Sequence, residues 1–224
     1  MKKSAAIFDM DGTLVRENKY WEIMDAIVYE ISNERIPFSY IQDWKNRGIT
    51  SDWDICYNFL KERTSVTYDF VKDKFQEKVP LFYTKEELMV GEELTIQILS
   101  SLSKNCALKI ATTRTRREAI DGLNSTILSK FFIQKDVYTL DDLKLFTTPL
   151  KKEMLQIIKD ENGFTSGFLA GDVVTDIISA KAIDLTAIGV YGSLDNKDAL
   201  KGAGADFLVK DISEIPELLE RIHL

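Results

Sequence analysis

The stretch Ala5-Ala6-Ile7-Phe8-Asp9-Met10-Asp11-Gly12-Thr13 decides how the chain is read. Its first four residues are apolar without a polar break, which suits a strand covered on both faces. The stretch then turns acidic. Asp9 and Asp11 stand two residues apart, so on extended backbone they project to the same side. Carboxylates that close repel, and the pair calls for a cation or a proton between them. A hard divalent ion that takes oxygen ligands, such as Mg2+, meets that need. Gly12 permits a tight turn directly after the pair. The plainer alternative is a strand end closed by a polar Asp-Gly turn, and the stretch alone does not choose between them.

Outward from this point the same pattern recurs. Short apolar runs at 108–112, 136–139, 167–170, 186–190 and 206–209 read as strands, with helical spacing over 151–161 and 175–183. Apolar strands separated by helices predict an α/β fold with a parallel sheet covered on both faces. In such sheets ligands sit beyond the carboxyl ends of the strands. One end reads Thr112-Thr113-Arg114, where a hydroxyl and backbone N–H groups can hold a phosphate oxygen or simply cap a helix. Another reads Gly171-Asp172, with Asp176 one helical turn further on. Helix capping accounts for either acid singly, but not for acids at two strand ends of one sheet. Lys151 and Lys152 stand at a helix start, where a cation opposes the dipole unless it faces an anion.

Residues 17–84 have a different character. They hold all three tryptophans, Trp21, Trp44 and Trp53, and only Gly48 of the eleven glycines. Tyr20, Met24, Ile27, Val28 and Ile31 share one helical face, as do Trp53, Cys56, Tyr57 and Leu60. A third helix is expected over 68–79, stopped by Pro80. These aromatics are expected to pack a core. The spacing thus predicts an α/β core from 1–16 and 85–224, with a helical insertion at 17–84.

Composition narrows the chemistry. The 224 residues carry 29 basic and 36 acidic side chains, a net charge of 29 − 36 = −7. That balance argues against nucleic acid as a partner, since phosphate backbones need a basic footprint. His223 is the single histidine, and Cys56 and Cys106 are the only cysteines. A Ser-His-Asp triad, a Cys-His pair, a histidine zinc site and a disulfide framework are therefore not expected. Carboxylates, lysines or hydroxyls must carry any catalysis. No apolar run reaches the ~18 residues of a membrane span. Asp9 and Asp11 also break the apolar patch after Lys2 and Lys3 before a signal core forms. A cytoplasmic monomer or homodimer without a membrane partner is the expectation.

Taken in order, these segments resemble the haloacid dehalogenase superfamily. Its four motifs run Asp-x-Asp-Gly-Thr, a strand-end Thr or Ser, a Lys, and Gly-Asp-x-x-x-Asp. Here they read Asp9, Asp11, Gly12 and Thr13; Thr112; Lys151 or Lys152; and Gly171, Asp172 and Asp176. The helical insertion takes the position of that family's cap, as in phosphoglycolate-phosphatase-like and β-phosphoglucomutase-like members. The resemblance implies a Rossmann-like core and a Mg2+ ion held by Asp9, the Asp11 carbonyl and Asp172, with Asp176 in support. It implies Asp9 as nucleophile, Asp11 as general acid and base, and Thr112 and Lys151 as charge stabilisers. Gly12, Thr13, Thr113 and Arg114 are candidate phosphate-binding residues.

The third motif departs from the family's frequent Lys-Pro, since Thr148-Pro149 stands there; Lys151 is favoured over Lys152. The segment 47–53 resembles the cap's substrate-specificity loop, with Arg47 and Thr50 as candidates. It reads equally well as an interhelical turn capped by Thr50 or Ser51. The function implied is a Mg2+-dependent phosphatase acting on a small phosphorylated metabolite. A sugar phosphomutase is the alternative, and a non-catalytic phosphate- or metal-binding module a third. Asp11 argues against carbon–halogen hydrolysis, because dehalogenating members lack that second acid.

Overall fold

The computed structural model describes residues 4–16, 18–49, 51–82, 86–143 and 150–222. Six strands form one parallel sheet: β1 (Ser4–Phe8), β2 (Cys106–Ala111), β3 (Val137–Tyr138), β4 (Ser166–Gly171), β5 (Thr186–Val190) and β6 (Phe207–Val209). Their order is β3-β2-β1-β4-β5-β6. β1 lies at the centre because Ala5, Ala6, Ile7 and Phe8 have nothing to show water, and all four are fully buried. Alternation divides them between two cores. Ala6 and Phe8 join one apolar cluster, Ala5 and Ile7 the other. Phe8 meets Phe168 of β4 edge to face at 5.6 Å.

Contacts divide the chain into two units, Met1–Arg16 with Lys85–Leu224, and Glu17–Thr84. Among the described residues the second unit is four helices: α1 (Asn18–Ser32), α2 (Phe38–Asn46), α3 (Asp52–Leu60) and α4 (Tyr68–Phe82). Met24, Ile27, Ile55, Phe59, Leu60, Val71 and Phe75 form its core, with Trp21, Trp44 and Trp53 packed against them. The expected stop at Pro80 does not occur, and α4 continues to Phe82. A proline this close to a helix end removes one backbone bond while the preceding turns keep theirs. The spacing also does not mark α2, which buries only Ile41 and Lys45.

In the sheet unit, α5 (Glu92–Asn105), α6 (Arg116–Asn124) and α10 (Ile215–Ile222) supply one apolar cluster. The other takes side chains from α7 (Leu150–Asn162), α8 (Val174–Lys181) and α9 (Lys197–Gly202). The chain runs outward from β1 to β2 and β3, then crosses through α7 to β4 on the other side of β1. The order reverses between β1 and β4, and such sheets bind ligands outside the carboxyl ends of the strands at that reversal. No described helix is long and apolar enough to cross a membrane.

Candidate active site

Asp9 is the first residue beyond β1, and its N–H still donates to the Ala170 carbonyl of β4 at 2.8 Å. Asp172 follows β4 directly, and Asp176 lies in the first turn of α8. Because β1 and β4 pair in register, the strand ends bring these acids together. Carboxylate oxygens of Asp9, Asp172 and Asp176 lie within 4.8 Å of one another, and all three residues are buried. Asp176 also does the capping work expected of an acid there, accepting from the Val173 N–H at 3.3 Å.

Two glycines make room for this cluster. A Cβ on Gly12 would lie 1.9 Å from Asp172 Oδ2, and one on Gly171 would lie 2.1 Å from Asp176 Oδ2. Gly12 also adopts φ +67°, where a side chain costs about 1–2 kcal/mol. Gly12→Ala should therefore displace Asp172 and lower turnover about 10²-fold, since a shift near 1 Å has that effect. Steady-state kinetics beside a thermal melt check it; a variant with wild-type kcat would show that Asp172 tolerates displacement.

Lys151 enters from the first turn of α7. Its Nζ lies 2.7 Å from Asp9 Oδ2 and 2.6 Å from Asp176 Oδ1, and its side chain is 3% exposed. Lys152 is exposed to solvent. Residues Thr148 and Pro149 lie outside the described residues. Three carboxylates and one ammonium leave −3 + 1 = −2, so the donor set fits a hard divalent cation such as Mg2+. The titration of Asp9 points the same way. Burial pushes its carboxyl up to about 7; Lys151 opposes the rise, while Asp176 and Asp11 add to it. Burial would lower the Lys151 ammonium, but Asp176 and Asp9 outweigh it and hold it above its ordinary value.

Residues 6–190 match the family model of haloacid dehalogenase-like hydrolases. The chain belongs to that family. Among curated relatives it is 25% identical to pyrophosphatase PpaX of Bacillus pumilus over 217 residues, 95% of this chain and 94% of the relative. Among solved structures it is similar to a HAD hydrolase of family IA, variant 3, from Entamoeba histolytica. That match has a TM-score of 0.78 at 17% identity, covering 99% of this chain and 100% of that one. A conserved haloacid dehalogenase-like protein of Agrobacterium tumefaciens gives 0.76 at 17% identity, with both chains fully covered. These likenesses confirm the α/β fold of the family.

The other candidates from the haloacid dehalogenase motifs fall in several places. Thr112 is fully buried beyond β2, its N–H donating to the Tyr138 carbonyl at 3.0 Å and its Oγ1 accepting from the Arg114 N–H at 3.2 Å. Thr13 is also fully buried, and Thr113 is half-buried. Arg114 points to two acids. It donates to both oxygens of Asp11 and to Glu86. Arg47 lies in the helical unit, paired with Asp43 at 2.6 Å and 64% exposed. Thr50 lies outside the described residues, and Ser51 accepts from the Asp54 N–H as the cap of α3.

Sequence reasoning missed two residues at this site. Asn196 is buried, and its Nδ2 donates to the Asp172 carbonyl at 2.8 Å, fixing the backbone of one acid. Glu86, 1% exposed at its side chain, pairs with Arg114. Neither sits in a motif. Both meet their partners only through the fold.

Proposed function

We propose that this chain is a Mg2+-dependent phosphatase that hydrolyses a small phosphomonoester through an aspartyl-phosphate on Asp9. The observation that carries the reading is Asp9 itself, a buried strand-end carboxylate set between a lysine and two further acids. Asp9 attacks phosphorus, the bond to the leaving oxygen breaks, and Asp11 gives that oxygen a proton. Asp11 then takes a proton from water, which attacks phosphorus and releases phosphate and free Asp9. Asp9, the Asp11 carbonyl and Asp172 would hold the ion, with Asp176 in support; when bound it neutralises charge on the phosphoryl oxygens. Lys151 adds positive charge beside the attacked group. The hydroxyls of Thr112, Thr113 and Thr13 and the backbone at Gly12 would contact the phosphate. Residues 17–84 take the sequence position of the family's cap, and Arg47 and Thr50 are its candidates for choosing the substrate.

A second reading comes from the relative of 25% identity, which is named a pyrophosphatase. Inorganic pyrophosphate would follow the same steps, with phosphate as the leaving group. One assay tests both. Phosphate release is measured over a panel of phosphomonoesters and pyrophosphate, with Mg2+ or a chelator, beside Asp9→Asn. Release should need the ion and Asp9, and release that survives either loss would refute the mechanism. Pyrophosphate outpacing every monoester would select the second reading. Turnover confined to a hexose phosphate with a bisphosphate primer would make the chain a mutase. No turnover of any compound would leave a binding module.

A further inference from the structure

We propose that Arg114, anchored by Glu86, is a positioning residue that sets the carboxylate of Asp11, and not a phosphate ligand. The inference rests on the reading of Asp11 as general acid and base. Arg114 Nε donates to Asp11 Oδ2 at 2.9 Å, and Nη2 donates to Oδ1 at 2.6 Å. This is the two-pronged fork that a guanidinium offers a carboxylate and an ammonium cannot. Nη1 donates to Glu86 Oε1 at 2.7 Å. The side chains of Arg114 and Glu86 are 3% and 1% exposed, against 20% for Asp11. The fork therefore ties Asp11 to two buried side chains, while Asp11 itself is the more exposed member of the three.

The surrounding backbone is fixed as well. The Arg114 N–H donates to Thr112 Oγ1 at 3.2 Å, and its carbonyl accepts from the Leu140 N–H at 3.3 Å. The segment carrying Glu86 is tied to the one following Asp11, through Arg16 N–H to the Glu87 carbonyl at 2.7 Å and Met89 N–H to the Leu14 carbonyl at 3.0 Å. Directly after Asp11 the chain turns through Gly12, at φ +67°. A carboxylate on a tight turn samples several rotamers unless something holds both oxygens.

The role has a distinctive signature. Proton donation matters more as the leaving group becomes more basic. Misplacing Asp11 should therefore slow poor leaving groups selectively. The experiment measures kcat/KM with Mg2+ over aryl phosphates from phenyl to dinitrophenyl, for wild type, Arg114→Lys, Glu86→Gln and Asp11→Asn. Arg114→Lys should lose about 10–100-fold on phenyl phosphate and under about 3-fold on dinitrophenyl phosphate. Glu86→Gln should show a smaller effect of the same slope, and Asp11→Asn the steepest. Competitive inhibition by inorganic phosphate should stay within about 2-fold, because no phosphate contact is lost.

A uniform loss across the series, or a large weakening of phosphate inhibition, would overturn the proposal. An Asp11→Asn enzyme with the wild-type slope would instead show that the acid–base reading is wrong. If Arg114→Lys melts below the assay temperature, Arg114→Met with Glu86→Gln removes both buried charges together and should show the same steepened slope.

Discussion

Asp9→Asn should cost at least about 10⁴-fold in turnover and yet raise the melting temperature of chelator-treated protein. The two effects share one cause. Asp9 ionises near the ordinary carboxyl value of 3.8 when exposed in the unfolded chain, but burial lifts the folded value to about 7. The folded state therefore binds the proton more tightly than the unfolded one. Below about pH 4 the carboxyl is neutral in both states and carries no penalty. Stability falls as pH rises from there to about 7, and the full penalty persists above that. An amide of the same shape never ionises and avoids it. The expected gain is about 1–2 kcal/mol, typical of neutralising a strained functional group. Thermal melts in chelator at pH 5 and pH 8 test this. The advantage of the Asn variant should be larger at pH 8, and an equal difference at both would refute the account. Added Mg2+ should reverse the order, since a ligand of the folded state stabilises the protein that binds it best.

Lys151→Met should have the opposite effect on stability. Lys151 sits between Asp9 and Asp176, and it is the cation that pairs with those buried acids among the described residues. Breaking a buried ion pair by removing one member costs about 3–5 kcal/mol. The loss should be greatest at neutral pH and shrink in acid, because the carboxylates then take up protons whose absence caused the strain. Mg2+ should recover part of it. Turnover should fall about 10²–10³-fold, the usual effect of removing one group that stabilises transferring charge. Lys152→Met is the control. That side chain is exposed, and its loss should stay within about 0.5 kcal/mol and leave turnover unchanged. Urea titrations of both variants at pH 5 and pH 7.5 separate them; equal effects would remove Lys151 from the site.

How much of this was legible follows from the range of each interaction. The strands were visible because apolar runs such as Ala5–Phe8 and Thr186–Val190 carry their burial in their composition. The helical character of α1, α3 and α4 was visible because their buried faces recur at helical spacing. The polar exceptions at strand ends then marked the site, since an acid at the end of an apolar strand has no packing reason to be there. Where local rules compete with tertiary packing, they lost. Pro80 does not stop α4, and α2 forms on one buried isoleucine and a lysine held by Asp52 at 3.2 Å.

The amino-acid sequence by itself marked the strands of the sheet, the helical character of the insertion, and the strand-end acids Asp9, Asp11, Asp172 and Asp176, whose closeness calls for a cation or a proton. Tertiary structure alone decided which partners those acids meet. Lys151 and Lys152 are neighbours with the same side chain, and only the rotation of α7 against the sheet turns one inward. Arg114 is a plausible phosphate ligand by position, and only the fold lays it against Asp11 and Glu86, 103 and 28 residues away. A motif records which groups a chain possesses, because spacing along the backbone is local. Which charge neutralises which is set by distances across the sheet.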